Sequence, residues 1–188
     1  MTLKEIADVI RDNYGFIKEG ADENGRDPKV YVHWTAGDYD TLYSDYHLCI
    51  KGDGSVSQTH DFKSPVESTY MRNSGSVSVA LCCASGGVAF VEGYCDLGVY
   101  PPTDIQLECV AQIIAVVCRE LDIPIDIQHV MTHAEAADNA DGLWCHEPYG
   151  PTSTFERWDL AVTKESDEWL TGGDILRGKA AFYLQQGI

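Results

Sequence analysis

Polar and apolar positions divide the chain into segments of two periodicities. Thr2 and Glu5 form a capping-box pattern, and Ile6, Val9 and Ile10 follow at helical spacing, which predicts an opening helix. The polar, glycine-containing stretch 20–28 ends that unit. Lys29-Val30-Tyr31-Val32-His33-Trp34 then reads as a strand, closed by Thr35-Ala36-Gly37. Residues 46–50 and 55–59 flank Lys51-Gly52-Asp53-Gly54, which predicts a β-hairpin. Residues 76–81 alternate at period two, as a half-buried strand does. After Pro101-Pro102, Thr103 and Gln106 form a second capping box. Leu107, Val110, Ala111, Ile114, Val117 and Leu121 continue it as one apolar helical stripe, which Pro124 ends. Residues 127–132 are a further strand candidate, 134–155 a long polar ordered loop, and 174–186 a short packing helix. Strands interleaved with helices predict an α/β fold.

The chain has 188 residues with 44% apolar and 23% charged positions, the profile of one folded domain rather than a disordered chain. No internal repeat or low-complexity linker divides it. Thirty acidic against 13 basic residues give a net charge of −17. Such a surface repels phosphate backbones and anionic bilayers, so neither nucleic acid nor membrane is an expected partner. No apolar run approaches the roughly 18 residues of a membrane span. The opening residues lack a basic segment followed by an apolar one, so no Sec-type signal is expected. The seven cysteines contain no CxxC pair. Cys49, Cys82, Cys83, Cys109 and Cys118 lie in apolar stretches and read as reduced, buried thiols.

Chemistry enters with two histidines. His33 ends a predicted strand, where a lone histidine is ordinarily structural. His133 also ends an apolar strand candidate, Val130-Met131-Thr132. Two histidines at parallel strand ends, followed by carboxylates and thiols, match a catalytic zinc site with three protein ligands and one open position. The third ligand must follow His133, and Asp138, Asp141, Cys145, His146 and Asp159 are the candidates.

Five motifs then fall in one order. They are Val32-His33-Trp34-Thr35-Ala36-Gly37, the hairpin Tyr46-His47-Leu48-Cys49-Ile50-Lys51-Gly52-Asp53-Gly54-Ser55-Val56, Asn73-Ser74-Gly75-Ser76-Val77-Ser78-Val79, Thr132-His133-Ala134-Glu135 and Arg157-Trp158-Asp159. Together they resemble the type-2 N-acetylmuramoyl-L-alanine amidases, the superfamily shared with peptidoglycan recognition proteins and phage lysozyme-like amidases. The resemblance runs from about residue 29 to 160. It implies a central mixed sheet flanked by helices, with a zinc ion at one edge of a shallow groove. The expected organisation is a single domain over 1–188, with 161–188 as a C-terminal packing extension.

The resemblance also implies roles. One zinc per chain would be held by His33, His133 and a third ligand that, in the family, is Cys or Asp with a basic residue two positions earlier. Asp159 with Arg157 fits that rule; Cys145, with Leu143 before it, does not, and Cys145 and His146 remain alternatives. The separation of 26 residues between His133 and Asp159 is longer than in compact relatives and implies an inserted loop. The implied reaction is hydrolysis of the amide joining N-acetylmuramic acid to L-alanine of the stem peptide. Tyr46 matches a tyrosine that assists the water or the tetrahedral intermediate, and Arg157 would stabilise the oxyanion. Ala80 stands where some members carry a glutamate base, so that version of the mechanism is closed.

Trp34, His60, Arg72, Asn73 and Glu135 are the candidate substrate contacts. Arg72 could meet a stem-peptide carboxylate but reads better as a surface arginine, and Glu135 either orients a zinc histidine or faces solvent. His47 reads as structural, His129 as lacking a partner, and His146 as lining the groove. Two other functions compete. A muropeptide-binding recognition module would have lost a ligand, and a cysteine hydrolase would use Cys82 or Cys83. The acidic charge favours a Gram-negative-type wall or soluble muropeptides as substrate. The chain would then act on the wall after lysis, holin release or specialised secretion, or on cytosolic muropeptides. Nothing demands more than a monomer.

Overall fold

A computed structural model describes residues 1–91, 94–142, 149–152 and 154–188. Its elements in chain order are α1 (Leu3–Asp12), α2 (Tyr14–Asp22), β1 (Lys29–Trp34), β2 (Leu48–Ile50), β3 (Val56–Gln58), β4 (Ser76–Leu81), β5 (Val88–Val91) and β6 (Tyr94–Asp96). Then follow α3 (Asp104–Leu121), β7 (Val130–Thr132), α4 (His133–Ala137) and α5 (Gly172–Gln185). Five strands form one sheet in the order β3-β2-β4-β1-β7, and β5 pairs with β6 apart from it. Neighbours are parallel except β2 with β3, so the sheet is mixed and the fold is the expected α/β class.

Strand periodicity sends alternate side chains to opposite faces. On one face Val30, Val32, Leu48, Ile50, Val77, Val79, Leu81 and Val130 join Ile6, Ile10, Val110, Ile114, Leu176 and their neighbours in the main core with α1, α3 and α5. On the other face Tyr31 packs with Met131 and Ala136, and Cys49 with Ala80 and Cys82. Irregular segments and α4 cover that second face. This is why β4 is buried at all six positions although its alternation suggested a half-buried strand. Small and polar residues pointed at a polar lid read as solvent-facing, and they are not.

Several local predictions correspond to elements. Thr2 and Glu5 cap α1, Thr103 and Gln106 cap α3, and the hairpin is β2–β3. Other elements differ. The opening unit is two helices, broken at Asn13, whose side-chain amide donates to the Val9 carbonyl at 2.7 Å. The β5–β6 hairpin was not foreseen. Residues 127–129 form a turn, leaving β7 only Val130–Thr132. Part of the predicted long loop is the short helix α4. The described cysteines are free thiols, buried except for half-buried Cys109. No helix among the described residues is long and apolar enough to cross a membrane.

The cap of α3 also ties it to the hairpin. Thr103 Oγ1 accepts from the Gln106 amide at 3.1 Å and donates to the Gly52 carbonyl at 2.9 Å. Gln106 Nε2 donates to the carbonyls of Ile50 and Cys82 at 2.9 and 3.0 Å. Thr103→Ala is therefore expected to lower unfolding stability by about 1 kcal/mol, read by urea titration. An unchanged midpoint would contradict the capping account.

Candidate active site

Parallel pairing of β1 with β7 sets Val32 opposite Thr132, so the next residues, His33 and His133, stand side by side. Their ring centroids are 4.8 Å apart at 67°. Thr132 caps α4 and makes His133 the first helical residue rather than the last residue of the strand. Asp159 arrives from the chain after α4, fixed by a hydrogen bond from the Ala134 amide to its backbone carbonyl at 3.2 Å. Beside it, Trp158 meets Trp34 edge to face at 4.6 Å, and Leu160 is buried. Asp159 Oδ2 lies 3.4 Å from His133 Nδ1 and 3.7 Å from His33 Nδ1. One ligand atom from each of the three residues lies within 4.8 Å of the others.

The far side of His33 is also held. Thr69 Oγ1 lies 3.1 Å from His33 Nε2. Where Nε2 donates to that hydroxyl, a neutral ring turns its Nδ1 lone pair towards the Asp159 side, the form a metal ligand needs; a protonated ring instead donates from Nδ1 to the carboxylate. Thr69 is placed by Asn73, whose Oδ1 accepts from the amides of Ser68 and Thr69 at 3.1 and 2.8 Å. Burial opposes the charge on Asp159, yet hydrogen bonds and charge from His133 and His33 outweigh it and hold the carboxyl well below the usual range. A carboxylate between two imidazoles is a ready set of donors for a borderline metal ion.

His133 and Asp159 open into a groove of about 560 Å³, lined among others by Trp34, Tyr46, Glu67, Tyr70, Asn73 and Arg157, with His33 fully buried behind them. The Tyr46 ring stands 5.2 Å from that of His33, and its hydroxyl donates to the Trp34 carbonyl at 3.4 Å. Burial pushes the phenol pKa up, so Tyr46 stays protonated. Arg157 is exposed on the groove, its guanidinium carbon 5.9 Å from the Tyr149 ring centroid. Trp34, Asn73, Tyr46 and Arg157 thus share the groove with His133 and Asp159.

Three other predicted contacts lie elsewhere. Arg72 is 1% exposed and bound by Asp141 through two 2.9 Å hydrogen bonds, with Asn139 Oδ1 at 2.8 Å. A buried guanidinium needs such a partner, and it is not among the groove-lining residues. His60 is held by the Ser44 carbonyl at 2.8 Å and Ser64 Oγ at 2.9 Å, which ties together the loops around it. Glu135 is buried and grips Arg177 instead of facing the groove. Of the alternative ligands, Asp138 accepts from Thr152 and Asp141 is taken by Arg72. Cys145 and His146 lie outside the described residues. His129, read as partnerless, has Asp126 Oδ1 at 2.7 Å from its Nδ1. Thr69 and Arg177 were missed altogether, since a hydroxyl in a polar stretch and an arginine in a tail helix carry no local signal.

Two imidazoles and a carboxylate at one end of an α/β sheet are a group that could hold a metal ion. A family model described as N-acetylmuramoyl-L-alanine amidase matches residues 23–148, and the chain belongs to that family, an enzyme family acting on peptidoglycan. The match takes in His33 and His133 but stops before Asp159. A search of the curated proteins gave no match. Among solved structures, the Ph2119 endolysin from Thermus scotoductus MAT2119 bacteriophage Ph2119 is 15% identical, with a TM-score of 0.44 over 59% of this chain and 74% of that one. The amidase LysC from Clostridium intestinale URNW is 10% identical, with a TM-score of 0.42 over 67% and 80% of the two chains. Drosophila PGRP-LB is 16% identical, with a TM-score of 0.39 over 64% and 82%. Membership rests on the family model and not on these distant likenesses.

Below the groove, His47 stacks on Phe62 at 4.6 Å, and its Nδ1 accepts from the Ser78 amide at 3.1 Å, which requires a neutral ring. Burial pushes its pKa down to about 4. Because the unfolded value is about 6.5, the unfolded chain takes the proton first, so stability falls as pH drops from about 6.5 towards 4. Wild-type stability minus that of His47→Asn, measured by urea unfolding in chelator, should fall by about 2 kcal/mol between pH 7.5 and 5. Parallel pH curves for the two proteins would refute the buried neutral histidine.

Proposed function

We propose that this chain hydrolyses the amide between N-acetylmuramic acid and L-alanine with zinc held by His33, His133 and Asp159. The observation that carries this reading is the convergence of two imidazole nitrogens and a carboxylate within 4.8 Å, with His133 and Asp159 lining a groove. The donor set fits the ion: nitrogen and carboxylate ligands in threes are what catalytic zinc takes, with the remaining position left to the reaction. When bound, zinc supplies Lewis acidity that acidifies water and polarises an amide carbonyl.

The rest follows from the chain's own groups. Asp159 stays anionic and balances the positive charge of an ion beside it. The Thr69 hydroxyl can accept from His33 Nε2, which leaves the Nδ1 lone pair for an ion. Tyr46, protonated at neutral pH, can donate a hydrogen bond to oxygen as charge builds on it, and Arg157 adds a fixed positive charge at the same groove. Tyr70 offers apolar ring surface along the groove, while the Trp34 ring is buried in the core against Trp158. Asn73 acts differently from the expected substrate contact: its oxygen is committed to the loop that carries Thr69.

Tyr46→Phe keeps the ring and removes the donor. It is expected to lower kcat on a MurNAc–L-alanine muropeptide by about 10²-fold with KM little changed. His33→Ala and Asp159→Asn are expected to abolish turnover while circular dichroism stays native. Release of L-alanine-terminated peptide, followed by liquid chromatography, reads all three. A His33→Ala protein that still turns over would overturn the mechanism.

A further inference from the structure

The start of α5 touches both chain segments that carry the later ligands. Arg177 donates to Glu135 through two nitrogens, Nη1 to Oε2 at 2.8 Å and Nη2 to Oε1 at 2.7 Å. The same Nη1 donates to the Val130 carbonyl at 2.9 Å, at the start of β7. Glu135 Oε2 in turn accepts from the Thr132 amide at 3.0 Å, closing the capping box of which His133 is the first helical residue. Arg177 and Glu135 are 8% and 9% exposed, so the pair is fixed rather than solvated. Asp174 Oδ1, at 2.6 Å from Nη2, completes the guanidinium's set.

Two glycines allow this approach. The Gly172 amide donates to the Ala161 carbonyl at 3.0 Å, and a Cβ at Gly172 would overlap the backbone of Leu160, the residue after Asp159. A Cβ at Gly173 would overlap the Glu135 carboxylate. The helix end therefore meets the His133 segment through Glu135 and the Asp159 segment through Leu160 and Ala161. This element lies outside residues 23–148 matched by the family model.

We propose that the amino-terminal end of α5 is a positioning device for the metal centre, in which Arg177, acting through Glu135, with Gly172 and Gly173, sets His133 and Asp159 at ligand spacing. The 161–188 extension is thus a working part of the site and more than packing. Arg177 and Glu135 touch neither metal nor substrate; they are positioning residues. The inference rests on the zinc reading above, and the bidentate fork is what Lys cannot reproduce.

The test is zinc affinity, measured by competition with a chromophoric chelator on folded protein. Arg177→Ala, Arg177→Lys and Glu135→Gln are compared with wild type, and Thr103→Ala serves as a variant destabilised far from the site. Wild type should bind one zinc, with affinity lowered about 10- to 100-fold in Arg177→Ala and Glu135→Gln. Arg177→Lys should recover only part of it, and Thr103→Ala should match wild type. If Arg177→Ala fails to fold, Glu135→Gln, which keeps shape and one acceptor, decides alone. Wild-type affinity in a folded Glu135→Gln or Arg177→Ala protein would overturn the positioning role, as would an equal loss in Thr103→Ala. A wild type that takes up no zinc would overturn the metal reading itself, and this inference with it.

Discussion

The structure depends on one pairing: β1 lies parallel to β7, in a register that brings His33 beside His133. Neither side chain has a reason to be buried alone, and two imidazoles in contact at the base of a groove are a cost unless something else shares the place. Asp159 does, as a carboxylate held ionised by both rings despite its burial. Polar groups gathered in this way must be satisfied by one another, by a ligand or by supporting residues. Thr69 behind His33 and Glu135 behind the His133 turn are such supports, and each is itself held, by Asn73 and by Arg177.

The two faces of the sheet divide the labour. The helical face carries branched aliphatic residues that pack on α1, α3 and α5 and supply the apolar burial that stabilises the fold. The opposite face carries Tyr31, His33, Ser78 and Ala80, all buried under a lid of loops. Rigid strands fix the first histidine, a capped helix start the second, and an irregular segment anchored by Trp158 the carboxylate. Side chains that converge from three separately anchored segments need those anchors to be tied together. The α5 helix end spans two of them.

Much of this was legible in the sequence because it is local. The strand 29–34 and the capped helix from 104 follow from alternation and from Thr103-Gln106 alone, and His33 and His133 stand out at strand ends. The remainder depended on what lies far away in sequence. Arg72 read as a surface arginine or a groove cation, yet it is buried and bound by Asp141, 69 positions later. Glu135 could be read as a groove contact, a support for a zinc histidine or a solvent-facing carboxylate; it is buried, and Arg177 binds it from 42 positions on. The β4 alternation was correctly read as a strand, but burial of its second face is set by loops that carry no periodicity. The Cys82 and Cys83 alternative also loses its basis in packing. Burial pushes the Cys83 thiol pKa up, as the Cys49 hydrogen bond and burial do for Cys82, and neither is a ready nucleophile.

The most direct test of the central claim is the X-ray absorption spectrum at the zinc edge of purified protein reconstituted with one equivalent of the metal. Coordination by His33, His133 and Asp159 predicts a first shell of nitrogen and oxygen alone at about 2.0–2.1 Å, with imidazole scattering beyond it. A sulfur shell at about 2.3 Å would move the third ligand to a cysteine such as Cys145. Zinc left in solution would contradict the site altogether.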